Sequence, residues 1–213
     1  MKKVVYLLFA LAFLLVVAGC KTDPVGFDLV EYVVSMRSND DYTGYTQTIN
    51  SGNAEYTKIM QYDRNKGIYK YVYETKTLNP FDSEERHSIV REEEYYGNNR
   101  RYYLEDGAWN SEEYQYSSGS MQYSFKREYF QSSMRLPDAT AVEARFEGQL
   151  LDDKVDEFFG EDVNARNVNI VVIFNAQTKR LLTIEVTYLS PSNETVTILT
   201  AISYENVDLN LPQ

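Results

Sequence analysis

The chain predicts an α+β fold: a strongly curved antiparallel sheet, a half-barrel of about 8–11 strands, with two or three short helices covering its concave face. Three observations carry this. Apolar residues alternate with polar ones in run after run from Asp41 to Tyr204, and short turn-forming clusters separate the runs. Seventeen of the nineteen tyrosines, a residue suited to strands and half-buried surfaces, fall between Tyr42 and Tyr204. Helical spacing is confined to two brief stretches, near residues 27–36 and 151–160.

The first stretch, Phe27 to Met36, places Leu29, Tyr32, Val33 and Met36 on one face, with Asp28 as a cap. DYTGYTQTI, the turn Asn50-Ser51-Gly52-Asn53 and AEYTKIMQYD read as a hairpin. Arg64-Asn65-Lys66-Gly67 turns the chain into IYKYVYETKTL. That run puts Ile68, Lys70, Val72 and Glu74 on one side and Tyr69, Tyr71, Tyr73 and Thr75 on the other. Asn79-Pro80-Phe81-Asp82-Ser83 breaks the strand. HSIVREEEYY, the turn Gly97-Asn98-Asn99, RRYYLE, the hairpin signal Asp106-Gly107 and AWNSEEYQY continue the meander. The recurrence of Tyr-x-Tyr (Tyr69, Tyr71, Tyr73; Tyr114, Tyr116) has successive strands using the same face.

Tyr123 to Met134 fits helix or strand, and Pro137 ends it. Val142 to Leu150 reads as a strand. Leu151 to Gly160 reads as a helix with Leu151, Val155, Phe158 and Phe159 sharing a face, acidic residues at its start and Gly160 as its C-terminal cap. Three alternating strands close the chain. They carry Val168, Ile170, Val172 and Phe174; then Leu182, Ile184, Val186 and Tyr188; then Val196, Ile198, Thr200, Ile202 and Tyr204.

The start of the chain has a separate logic. Lys2 and Lys3 precede fourteen uncharged residues, Val4 to Val17; Ala18 and Gly19 follow, and then the only cysteine, Cys20. A basic start, a short apolar run and a small-residue exit mark an export signal. The run is too short to span a bilayer comfortably, which takes about 20 apolar residues. Val17-Ala18-Gly19-Cys20 resembles the lipobox of bacterial lipoproteins, with Val17 where leucine is commoner. The resemblance implies a cleaved leader, residues 1–19, and a diacylglyceryl group on Cys20, the new N-terminus. Residues 20–26 are then a lipidated tether and residues 27–213 a single domain. Two or more acyl chains hold a protein stably at a membrane. The expected location is therefore the cell envelope, with the protein exported and lipid-anchored. The spent thiol leaves a body that folds without disulfides.

Charge narrows the partners. Losing Lys2 and Lys3 moves 21 basic residues to 19 against 32 acidic ones, and the formal balance from −11 to −13. Such a surface repels phosphate backbones, which argues against nucleic acid. No catalytic, cofactor or metal constellation is expected. His87, the sole histidine, sits in a charged strand between Arg86 and Ser88. No Ser/His/Asp order is credible around it. Glu92-Glu93-Glu94 lacks the alternating oxygens and glycine turn of a calcium loop and reads as a solvated face. Asp152, Asp153 and Asp156 read as helix N-terminal charge, and Asn193-Glu194-Thr195 as a glycosylation pattern irrelevant to a bacterial lipoprotein. The Tyr69/Tyr71/Tyr73 stripe is suited to gripping a sugar or peptide, but strand tyrosines packing across neighbours is the favoured reading.

The order of elements, together with YLEDGAW (103–109), the strand-and-helix segment 142–159, the hairpin FNAQTKRLLTIEV and the ending ISYENVDLNLP, resembles the lipoprotein-carrier superfamily of LolA, LolB and LppX-like proteins. The resemblance implies an incomplete barrel with helices over its concave face and an apolar cavity between. It leaves two non-enzymatic functions open: binding an apolar small molecule or lipid, or acting as a surface or envelope interaction lipoprotein with a packed core and no small ligand. It names neither ligand residues nor a protein partner.

Overall fold

The computed structural model describes residues 42–79, 82–115, 123–136 and 142–213. The leader, the lipobox with Cys20, the tether, the helix expected over 27–36, Pro80, Phe81, Tyr116 and Pro137 lie outside the described residues.

Eleven strands form one antiparallel sheet: β1 Gly44–Ser51, β2 Ala54–Asp63, β3 Ile68–Asn79, β4 Asp82–Gly97, β5 Arg100–Glu105, β6 Ala108–Glu113, β7 Phe130–Leu136, β8 Glu143–Leu150, β9 Arg166–Asn175, β10 Leu181–Leu189 and β11 Thr195–Ser203. The sheet order is β6-β5-β4-β3-β2-β1-β11-β10-β9-β8-β7. Two meanders, β1–β6 and β7–β11, are thus joined along one seam, where the first strand pairs with the last from Gly44↔Ser203 to Ser51↔Val196. The strands at the two ends of the order, β6 and β7, do not pair, so the sheet stays open as a half-barrel.

Gly44 opens β1, the strand between β11 and β2. A Cβ there would collide with the carbonyl oxygen of Met60 on β2, so only glycine lets β1 lie between β11 and β2 at this level.

The core occupies one face of the C-terminal meander. Val168, Ile170, Val172 and Phe174 of β9 are all fully buried, as the alternation predicts, together with Phe146, Ile184, Val186 and Val196 from the neighbouring strands. On β10 the expected register is off by one at its start. Leu181 is buried rather than Leu182, because a bulge between Leu181 and Thr183 shifts the pairing with β9. The side chain that faces the core flips with it.

Among the described residues there is a single α-helix, α1 (Val155–Phe159), preceded by a 3-10 turn at Asp152–Lys154. The expected helix over 151–160 is therefore half as long. Leu151 is extended and 36% exposed rather than on the buried face, while Val155, Phe158 and Phe159 are buried as expected. Gly160 takes the left-handed conformation (φ 73°) and donates its N–H to the Asp156 carbonyl at 2.8 Å, closing the helix.

The open alternative at 123–134 resolves as extended chain, a 3-10 turn at Arg127–Tyr129 and then β7. The described end of the β6–β7 connection lies against α1. Tyr123 stacks on Phe158 (5.2 Å between ring centroids) and Phe125 meets the same ring edge-on (5.3 Å).

Candidate functional site

The inner face changes character at the seam. Across β7–β11 it is dry and filled: Phe146, Phe158 and Phe174 leave no exposed surface. Across β1–β4 it is lined by tyrosines. Tyr45, Met60, Tyr71 and Tyr96 form a second buried cluster, with Tyr42, Tyr62, Tyr69 and Tyr73 partly buried around it. The expected division of β3 into a tyrosine side and an Ile68/Lys70/Val72/Glu74 side holds in the register, where Tyr69, Tyr71 and Tyr73 stand opposite Tyr62, Met60 and Lys58.

The tyrosine stripe packs across its neighbours. Tyr62 stacks on Tyr69 at 4.1 Å and Tyr71 meets Tyr96 edge-on at 5.7 Å. Tyr96 in turn meets Tyr114 at 5.2 Å. These contacts favour the packing reading over a sugar or peptide grip for Tyr69 and Tyr71.

Lys58 stands in the middle of this surface. Its ammonium lies 5.2 Å from the ring centroid of Tyr71, 5.8 Å from Tyr73 and 6.0 Å from Tyr45, a distance at which ring quadrupoles attract a cation. Partial burial lowers its pKa from the ordinary lysine value, and among the described residues no carboxylate pairs with it to offset that. One rung across the sheet reads Thr200, Gln47, Lys58, Tyr73, Glu92. Toward the core side of that rung, Gln47 Nε2 donates to Tyr123 Oη and Thr200 Oγ1, both at 3.4 Å. The next rung reads Ile198, Ile49, Tyr56, Thr75, Val90. Among the described residues of this rung, Tyr56 and Val90 are each 46% exposed, with Thr75 between them.

Strand alternation takes the acidic run apart. Glu92 and Glu94 point inward and Glu93 outward. Glu93 pairs with Lys70 at 2.8 Å and accepts from Tyr95 Oη at 2.7 Å. Glu94 is held by Arg101 and by Tyr96 Oη at 2.6 Å. Burial pushes the Glu94 carboxyl up, but the hydrogen bonds from Arg101 and Tyr96 outweigh it and leave the group below the usual carboxylate range. The same carboxylate, after burial, pushes the Tyr96 phenol well above its ordinary value. These are structural ion pairs, and among the described residues no three His, Cys, Asp or Glu side chains converge as a metal site would require. The backbone places His87 in β4 opposite Thr77. Asp156 uses its Oδ1 to accept the Val163 N–H at 3.0 Å, a loop-holding role.

Sequence reasoning missed Lys58, Tyr56 and Val90. A signal for the first was available: AEYTKIMQYD puts Lys58 on the same side of β2 as Tyr56, Met60 and Tyr62, a cation on the apolar side of an alternating strand. Among the described residues, an open cleft of about 860 Å³ lined by Asn98, Asn99, Arg100, Glu113, Tyr114 and Gln115 is walled by a polar turn at the sheet edge and offers little apolar contact.

No protein-family model and no curated protein sequence matches the chain. Among solved structures, LprF from Mycobacterium bovis is similar over 87% of this chain and 96% of its own, at 11% identity and a TM-score of 0.47. The hypothetical protein CT021 from Chlamydia trachomatis is similar over 80% of this chain and 92% of its own, at 10% identity and a TM-score of 0.32. The half-barrel description rests on the strand order and register above.

Proposed function

We propose that this protein is a membrane-anchored bacterial lipoprotein that binds an apolar ligand or lipid on the inner face of an open half-barrel and catalyses no reaction. One observation carries the binding half of this reading. Among the described residues the inner face is sealed by phenylalanines over β7–β11, whereas over β1–β4 Tyr56 and Val90 each keep 46% of their surface exposed. Large apolar side chains gathered on a curved surface beside a few fixed polar groups are the usual make-up of a small-molecule site. The anchoring half rests on the zone order of residues 1–20, with Cys20 as the acylated residue.

Native mass spectrometry of the full-length protein, extracted from its own membranes, tests the reading. A bound lipid-sized mass that survives mild activation and is displaced by added lipid is the expected result. A bare protein mass under the same conditions overturns it. That outcome favours the second reading, an envelope or surface interaction lipoprotein without a small ligand, for which the filled core of the C-terminal meander speaks.

A further inference from the structure

We propose that the cleft at the β4–β5 turn binds a neutral oligosaccharide, with a sugar ring against Tyr114 and its hydroxyls hydrogen-bonded to Asn98, Asn99, Arg100, Glu113 and Gln115. The cleft lies at the sheet edge, so its occupancy is independent of whether an apolar ligand binds the inner face.

Three features of the cleft lead there. The first is its wall. All six lining residues carry hydrogen-bonding side chains, and five of them end in a planar amide, carboxylate or guanidinium. The three amides each offer donors and an acceptor, the guanidinium donors only and the carboxylate acceptors only. A sugar hydroxyl both donates and accepts, so a row of hydroxyls uses that mixture in full. An acyl chain uses none of it and takes an apolar wall instead.

The second feature is a braced aromatic ring among fixed polar groups. Tyr114 meets Tyr96 at 5.2 Å with the ring planes 60° apart, yet keeps 43% of its surface exposed. The C–H face of a pyranose packs on the negative face of such a ring. Asn98 and Asn99 take left-handed backbone (φ 55° and 58°), as a two-residue hairpin turn requires, and the Asn99 carbonyl accepts the Tyr114 N–H at 3.0 Å. Arg100 is clamped on Ser111, with Nε donating to Oγ at 3.2 Å and Nη2 to the carbonyl at 3.1 Å. Groups held before a ligand arrives lose little freedom on binding it.

The third feature is charge. The wall holds one guanidinium and one carboxylate, Arg100 and Glu113, which stand opposite each other in the β5–β6 register. They cancel, so the wall favours neither an anion nor a cation, and a chain with 32 acidic and 21 basic residues repels anions further. A neutral, hydroxyl-rich ligand matches all three features. The cleft is open, at about 860 Å³, and so suits a chain of sugars laid across it better than one enclosed ring.

Saturation-transfer NMR on the full-length protein in phosphatidylcholine nanodiscs tests this, with maltotetraose, cellotetraose and chitotetraose as probes and tetraglycine as the peptide control. Transfer is expected to at least one saccharide, strongest at its ring C–H protons, and not to tetraglycine. Tyr114→Ala is expected to weaken the Kd of that saccharide about tenfold, the scale of one lost ring contact, and Tyr114→Phe to retain it. Glu113→Ala, at an exposed position, is expected to weaken it to a similar extent, and carries the test if the thermal melt shows that Tyr114→Ala does not fold. No transfer to any of the three saccharides overturns the proposal. So does transfer that the folded variants leave unchanged, or that tetraglycine matches.

Discussion

Asp63 shows how much one buried carboxylate can organise. It ends β2 and is 2% exposed. Its Oδ1 accepts the N–H groups of Asn65 (2.9 Å) and Lys66 (3.1 Å), which shapes the β2–β3 turn. Its Oδ2 accepts the N–H of Leu209 at 3.1 Å, which docks the C-terminal tail. Lys66 completes the clamp from the other side, donating to Asp208 (2.5 Å), the Leu209 carbonyl (2.7 Å) and Asn210 (3.0 Å). The backbone hydrogen bond from Leu209, joined by those from Lys66 and Asn65, holds the Asp63 carboxyl below the usual aspartate value. A carboxyl whose folded pKa is depressed stabilises the fold above its unfolded value, near 4, and loses that contribution as pH falls through the folded value. Asp63→Asn is therefore expected to lower stability at pH 7, speed amide exchange at Leu209, and differ less and less from the parent as pH falls below about 4. Urea unfolding of both proteins at pH 7 and pH 3 checks it; a gap that does not shrink in acid contradicts the account.

At the scale of elements, α1 is a helix that could not exist alone. Five residues are far below the roughly 12–15 needed for marginal helicity in water. Burial of Val155, Phe158 and Phe159, with the Gly160 cap, is what holds it. Phe158 is the centre of that contact: no part of it is exposed, and rings of Tyr123, Phe125 and Phe159 lie 5.2–5.3 Å away. Phe158→Ala is expected to cost about 3–5 kcal/mol, the range for deleting a buried phenylalanine. Asp153→Asn, on the exposed 3-10 turn, is expected to stay within about 0.5 kcal/mol. Denaturant midpoints for the pair measure the contrast. Since Tyr123 and Phe125 belong to the β6–β7 connection, Phe158→Ala is also expected to raise amide exchange around residues 123–126, where Ser124 donates its N–H to the Phe158 carbonyl at 2.9 Å.

For the whole molecule, the seam between β1 and β11 is closed by pairing from Gly44↔Ser203 to Ser51↔Val196, and Cys20 precedes β1 in the chain. Cys20→Ser is accordingly expected to free the protein from membranes or leave an uncleaved precursor, while the melting temperature of the body stays unchanged. Fractionation of cells fed a fatty-acid analogue reads out the first part and thermal melts of the two purified proteins the second. Label remaining on Cys20→Ser contradicts the lipobox reading, since the chain has no other cysteine.

Local pattern determined most of the strands, but not β7, where 123–134 fitted helix or strand equally. A period of two is a property of each segment by itself, so Val168, Ile170, Val172 and Phe174 announce a buried β9 face before any partner is known. The turns were equally local: Asn175 and Gly52 sit where the chain reverses because their side chain or their freedom to take positive φ permits it. Pairing was not local. Nothing near Gly44 says that it will lie against Ser203, and nothing near Leu181 says that a bulge will turn it inward in place of Leu182. The length of α1 was not local either: Val155, Phe158 and Phe159 are buried in the tertiary structure, whereas Leu151 is extended and 36% exposed. The candidate site belongs to the same class. Lys58, Tyr45, Tyr71 and Tyr73 come from three strands, and Tyr56 meets Val90 only through β3. The sequence determines which face each side chain takes on its own strand; the order and register of the strands decide which of those side chains become neighbours, because cross-strand contact is fixed by backbone pairing between segments far apart in the chain.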